Sequence, residues 1–406
     1  MEFINIIAIL VTLTALFSYV NHRFIHLPNT IGLMLCGLVM SLGLIALGWL
    51  DAGVKAGAEA IIQRIDFNHL LLHGMLSFLL FAGALHVDIN DLLKQKWVIS
   101  SLATGGIVLS TFLVGSFAFG VLKALGFEVP LVYCLLFGAL ISPTDPVAVL
   151  GILKTAPTPD TLKAKITGES LFNDGIGVVL FLVLSEVASG AERLTPWHIL
   201  GVFAQEALGG VAFGLCAGYA AYRMLKGVDN YQVEVLITLA LVMGGYALAD
   251  ALHLSGPLAI VVAGLLIGNH GRAFAMSETT RDHLDKFWAL LDEIMNAMLF
   301  VLIGLEIVVL TLTSEYLLAG VVMIPLVLLA RWISVGLPIT ILKVRRAFSP
   351  DAIRILTWGG LRGGISVALA LSLPESPHRD IILTTTYVVV VFSILVQGLT
   401  VKRLVS

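Results

Sequence analysis

Long apolar stretches alternate with short polar connections from one end of the chain to the other. A helix that crosses a bilayer needs ~20 mainly apolar residues. On that rule the sequence predicts thirteen segments: 3–21, 30–49, 67–86, 97–122, 130–153, 161–187, 196–222, 232–252, 256–270, 285–309, 316–341, 352–373 and 379–400. Most connections carry turn chemistry, as in Pro157-Thr158-Pro159-Asp160 and Pro374-Glu375-Ser376-Pro377. No large soluble domain and no linker interrupts the pattern. Residues 1–406 therefore read as a single all-α, polytopic membrane domain.

Two segments break the apolar pattern at matching places. The fifth carries Ser142-Pro143-Thr144-Asp145-Pro146, and its two prolines predict an interrupted helix beside a carboxylate. The twelfth carries Gly359-Gly360-Leu361-Arg362-Gly363-Gly364, a glycine-rich break around an arginine. Transporters are often built from inverted repeats with broken helices at corresponding positions. The prediction is two inverted six-helix repeats, about 3–187 and 232–400, joined by a connector helix at about 196–222. The broken helices are then the fifth of each repeat, the fifth and twelfth overall.

Composition and charge narrow the class. The chain has 406 residues, 58% hydrophobic and 13% charged, and its mean hydropathy is +0.98. A soluble domain carries roughly 25% charged residues, so a soluble protein is excluded. No basic block points to nucleic acid. Cys36, Cys134 and Cys216 lie inside apolar runs, with neither metal-ligand spacing nor a disulfide framework; no cofactor is expected. The N-terminus, Met1-Glu2-Phe3-Ile4-Asn5, lacks a basic n-region, so the first apolar run is expected to remain as a span. Seventeen of the 24 Lys and Arg residues fall on one set of alternating connections and the C-terminus, five fall on the other side, and Arg331 and Arg362 lie inside segments. The positive-inside rule then puts the C-terminus in the cytoplasm and the N-terminus outside.

Ionisable side chains inside the segments mark the candidate site. Such a group costs at least ~2.5–3.5 kcal/mol near the bilayer centre, so it usually faces a partner or a watery cavity and has a function. Asp145, Glu169 and Asp174 fall within thirty residues, and at ~1.5 Å per residue they share a level with Arg362. A carboxylate supplies charge to a dehydrated alkali cation, and one withdrawn from water also takes a proton more readily, so ion and proton compete. Asp174 is the candidate for that carboxylate, and Ser170, four residues earlier, shares its helix face. Thr144 can offer a carbonyl or hydroxyl oxygen. Asp145 either binds the ion or caps the half-helix beside it. A buried pair with Glu169 is the simplest account of Arg362, a clamp between the two halves in which the Asn173 amide can share. Arg331 is level with Asp292 and Glu293 and can pair with either; those two acids can also line a cation-attracting funnel. Glu306 is left without a role.

Thr144-Asp145-Pro146, Gly168-Glu169-Ser170-Leu171-Phe172-Asn173-Asp174-Gly175 and Gly359-Gly360-Leu361-Arg362-Gly363-Gly364 closely resemble the cation/proton antiporters of the NhaP/NHE type. The resemblance covers essentially the whole chain. It implies that Asp174 is the ion- and proton-binding carboxylate, assisted by Asp145, Thr144 and Ser170. It implies that Glu169 and Arg362 form a stabilising pair and that the protein is a homodimer, joined through the first segments of each half. The dipeptide Asn173-Asp174 marks the electroneutral branch of that family. The expected function is exchange of Na+ (or Li+) for H+, one for one, by alternating access in a plasma membrane, the bacterial inner membrane. K+/H+ exchange at the same site is the alternative. A cation channel fits less well, because two broken helices at repeat-related positions favour a carrier. An intramembrane protease lacks its motifs: there is no His-Glu-x-x-His, and neither aspartate has a Gly-x-Gly-Asp context.

Overall fold

The structure is a computed structural model that describes residues 3–48, 50–62, 67–145, 160–190, 196–344, 348 and 351–405. Helices fall where the apolar stretches predict them. The first part of the chain forms α1 (Phe3–Val20), α2 (Asn29–Gly48), α3 (Ala52–Ile62), α4 (Leu76–Leu85), α5 (Ile107–Ala124), α6 (Leu131–Ile141) and α7 (Asp160–Ala188). A long α8 (Pro196–Leu225) follows. The second part forms α9 (Tyr231–Ala251), α10 (Gly256–Leu266), α11 (Glu278–Leu305), α12 (Ser314–Leu342), α13 (Ala352–Trp358), α14 (Gly364–Leu371) and α15 (Arg379–Phe392). Among the described residues nine helices are long and apolar enough to cross a membrane. One element departs from the sequence reading, which treats 50–66 as a connection. Its stretch Ala52–Ile62 is helical and packs on α2, as short helices owe most of their stability to packing.

Polar residues at the segment ends fix where the helices start. Asn230, Ser255, Ser277 and Thr313 each accept a hydrogen bond from the first turn they precede, satisfying backbone donors that have no partner within the helix. The interruptions are equally local. α6 ends at Ile141, before Pro143, and the rest of the predicted fifth segment, 146–153 with Pro146, lies outside the described residues. In the twelfth segment α13 and α14 are separated by the non-helical stretch from Gly359 to Gly363. Inside α12, Pro325 and Pro338 are tolerated without a break.

The helices associate in two groups. α5, α6, α7, α12 and α15 pack on one another and on α13 and α14, while α2, α4, α8, α9, α10 and α11 form a second set joined by α1. The first group contains both interruptions and is called the core here; the second is the scaffold. Close approach inside the core is tight. A Cβ on Gly177 of α7 would lie 2.2 Å from Pro143 Cγ, so only glycine lets the interrupted chain lie against α7.

Candidate functional site

The two interruptions touch. The Asp145 N–H donates to the Leu361 carbonyl at 2.8 Å, and the Arg362 N–H donates to Ser393 Oγ at 2.9 Å. Arg362 is 2% exposed. Its Nη1 donates to the carbonyls of Ser142 and, at 3.0 Å, Pro143. These carbonyls lie just past α6, whose end carries partial negative charge and lacks intrahelical donors. The guanidinium of one broken segment therefore caps the broken end of the other.

This corrects the predicted clamp. Glu169 is 1% exposed, and its ion pair is with Arg331, not Arg362: Arg331 Nη1 donates to Glu169 Oε1 at 2.5 Å. Arg331 also donates to the Leu356 carbonyl at 3.2 Å, so it pairs with neither Asp292 nor Glu293. The Asn173 amide does not join Glu169 either. Its Nδ2 donates to Thr144 Oγ1 at 2.8 Å and its Oδ1 accepts from the Thr144 N–H at 3.3 Å. Height along a helix is readable from sequence, whereas the direction a side chain faces depends on which helices are neighbours. α12 belongs to the core, beside α13, and not to the scaffold wall where Asp292 and Glu293 sit. One signal for the true pair is in the sequence: Arg331 lies ten residues before the end of its predicted segment and Arg362 ten residues after the start of the next, so the two share one depth from the same side of the membrane.

Of the predicted ion residues, Asp145 and Asp174 line one cavity of about 930 Å³ between core and scaffold. Asp174 is buried and Asp145 half-buried. Asp88, Asp91, Asp292, Glu293, Lys163 and His86 line the same cavity. Asp88 and Glu293 are exposed, and Asp91 and Asp292 are half-buried, so an acidic rim leads to a buried carboxylate. Asp292 and Glu293, which the sequence offers as a funnel, both line this cavity. Thr144 and Ser170 stand behind the carboxylates, buried, with their hydroxyl oxygens 3.2 Å apart. Glu306 lies elsewhere, in the turn after α11 near Tyr387. Among the described residues no cluster of His, Cys, Asp and Glu has a geometry that could hold a resident metal ion.

Gly363 bounds the site closely. A Cβ there would lie 2.2 Å from Asp145 Oδ2 and 2.6 Å from its Cβ. If Asp145 serves the ion site that the sequence predicts, Gly363→Ala is expected to push it aside and reduce ion flux by ~10–100-fold, since displacements of about 1 Å at a reacting group cost that much. Ion flux in proteoliposomes, with a thermal melt to show retained folding, tests this.

A family model described as the sodium/hydrogen exchanger, transmembrane, matches residues 9–406. The Na+/H+ antiporter NhaP of Pseudomonas aeruginosa is 51% identical, over 99% of this chain and 96% of that protein. The Na+/H+ antiporter NhaH of Halobacillus dabanensis is 36% identical, over 93% of this chain and 91% of that protein. Among solved structures, the sodium proton antiporter MjNhaP1 from Methanocaldococcus jannaschii aligns with a TM-score of 0.77 at 21% identity. That match covers 100% of this chain and 99% of the other, a likeness of fold.

Proposed function

Because this chain belongs to the sodium/hydrogen exchanger family, we propose that it is a Na+/H+ antiporter whose ion and proton compete for Asp174. The observation that carries this reading is the placement of Asp174 and Asp145 on one cavity whose rim is acidic. A cation drawn in by the rim meets a carboxylate held away from bulk water, and that carboxylate is neutralised by either a metal ion or a proton. Li+ substitutes for Na+. Asp145 contributes a second carboxylate. Thr144 and Ser170 complete the oxygen set or hold it in shape, and Asn173 fixes Thr144. Glu169 is committed to Arg331 and serves as a core strut.

Exchange is one for one and moves no net charge. Asn173 neither takes up nor releases a proton, and it is already bonded to Thr144; with Asp145 keeping one protonation state throughout, Asp174 alone trades its proton for the ion in each turnover. No cofactor takes part; the bilayer is the solvent and a gradient is the energy source. The spans number thirteen, in two inverted repeats on either side of α8, within one domain. The C-terminus lies on the cytoplasmic side and the N-terminus outside, in a bacterial inner membrane. On this orientation the cavity opens to the cytoplasm, since Asp88, Asp91 and Lys163 belong to the connections rich in Lys and Arg. The protein works as a homodimer through the first helices of each half, leaving the core free to move.

Dequenching of a pH dye in proteoliposomes on adding Na+, Li+ or K+, with and without a clamped membrane potential, tests the reading. Na+ and Li+ are expected to move protons equally at any clamped potential. A response to K+ alone would make the protein a K+/H+ exchanger, and a rate that follows the potential would end the one-for-one stoichiometry. Competition has its own signature. The Na+ concentration for half-maximal rate is expected to rise as pH falls, approaching about tenfold per pH unit once the carboxylate is mostly protonated. A half-maximal concentration that stays constant while only the maximal rate falls would exclude a shared site.

A further inference from the structure

The scaffold wall of the cavity carries a buried amide that the reading above leaves unused. Ala289, Asp292, Glu293, Asn296 and Leu299 follow one another along the cavity face of α11 at the three- and four-residue spacing of a single helix face. Asn296 is 4% exposed. Its Nδ2 donates to the Asp292 carbonyl at 2.9 Å and to Asp292 Oδ1 at 3.0 Å. That pair of bonds fixes which end of the amide is which: the donor end faces Asp292 and the carbonyl oxygen faces away from it. Among the described residues lining this cavity, Asn296 Oδ1 is the buried side-chain oxygen that has no hydrogen-bond partner.

Its position relative to the carboxylates follows from the packing. Leu299, three residues further along α11, sits where a Cβ on Gly364 would meet it, 2.4 Å from its Cδ1. The adjoining Gly363 lies directly against Asp145. Asn296 lies one helical turn along α11 from Leu299, on the side of Asp292 and Glu293, and lines the same cavity as Asp145 and Asp174. Buried carbonyl oxygens are almost always paired, and an unpaired one on a residue that lines an ion path becomes a ligand for a hard cation once a small side-chain rotation uncovers it. A neutral amide suits the task. It replaces a shed water without adding a second charge that would hold the ion too tightly to leave.

We propose that Asn296 Oδ1 is a cation ligand contributed by the scaffold, taking the ion between the acidic rim and Asp174. Asp292 orients the amide and does not itself make this contact. The ion site is then shared by both groups of helices in this conformation, and movement of the core past the scaffold breaks the Asn296 contact while Asp174 keeps its load. The proposal rests on the Na+/H+ reading of the cavity.

The test is Na+-driven proton movement by the full chain in proteoliposomes, over a range of Na+ at fixed pH. Asn296→Leu, nearly isosteric and without an oxygen, is expected to raise the half-maximal Na+ concentration about five- to tenfold, the worth of one neutral polar contact, with the rate at saturating Na+ nearly unchanged. Asn296→Asp, which keeps an oxygen, is expected to restore the half-maximal concentration to wild type or below. A wild-type half-maximal concentration in the leucine variant overturns the proposal, even with a lowered melting temperature, since that combination describes a residue that only packs. If the leucine variant does not assemble, Asn296→Ala is expected to shift in the same direction by a smaller factor, and no shift there overturns the proposal equally. Failure of the underlying reading looks different: the wild type itself would show no Na+-dependent proton movement.

Discussion

Asp174→Asn is expected to abolish Na+-driven proton movement while leaving the protein folded. The two side chains are nearly the same size, so packing against the neighbouring helices is kept. The amide has no charge to offset a dehydrated cation and no proton to exchange, so both halves of the cycle are lost together. Stability is expected to hold or rise slightly. The aspartate is 6% exposed, and no described residue makes an ion pair with it; burying an unpaired carboxylate is unfavourable. Flux in proteoliposomes, set beside a thermal melt of the purified variant, checks both parts. Retained sodium-dependent proton flux would remove Asp174 from the mechanism. A collapsed melt would mean that the carboxylate holds the structure together.

Glu169→Ala is expected to act in the opposite sense, chiefly on stability. It leaves Arg331, 4% exposed, with its carboxylate partner gone and the Leu356 carbonyl as its remaining acceptor. Removing one member of a buried ion pair costs about 3–5 kcal/mol, whereas replacing both with apolar residues of similar volume is often neutral. The double variant Glu169→Leu/Arg331→Met is therefore expected to recover most of the loss, and Glu169→Leu/Arg362→Met to add to it. The contrast separates the observed pairing from the one that depth along the chain suggests. If the Arg362 combination were the one that recovered, the pair would be assigned to the wrong arginine. Thermal or denaturant melts of the three variants in one detergent suffice.

Much of the fold was legible because the bilayer imposes a strict rule. Segments such as 232–252 and 316–341 are apolar over the required length and appear as α9 and α12 with ends shifted by a few residues. Both interruptions were legible too, since Pro143 and the run from Gly359 to Gly364 cannot continue a regular helix without loss. Asp145, Asp174, Glu169 and Arg362 stood out as charges at one level. Their partners were not legible. A helix gives 1.5 Å of height per residue but no neighbour, and Glu169, Arg331 and Arg362 are all near the same height. Azimuth decides among them, and it is set by how α7, α12 and α13 are disposed about Arg331, which bonds to Glu169 and to the Leu356 carbonyl. Asn296 is not legible in the sequence for a related reason. An uncharged amide in an apolar run gives no electrostatic signal, and its significance lies in an oxygen that the fold leaves unpaired.

The contact between the two interruptions also constrains how the protein can move. Asp145 is tied to Leu361 through the backbone, and Arg362 reaches back to the carbonyls beyond α6. Prising these strands apart inside the bilayer would leave a bare guanidinium and bare carbonyls with nothing to replace them. For the exchange proposed above, the crossed pair is therefore expected to travel as one cradle, switching the passage by displacement of a rigid carrier and not by loosening its grip.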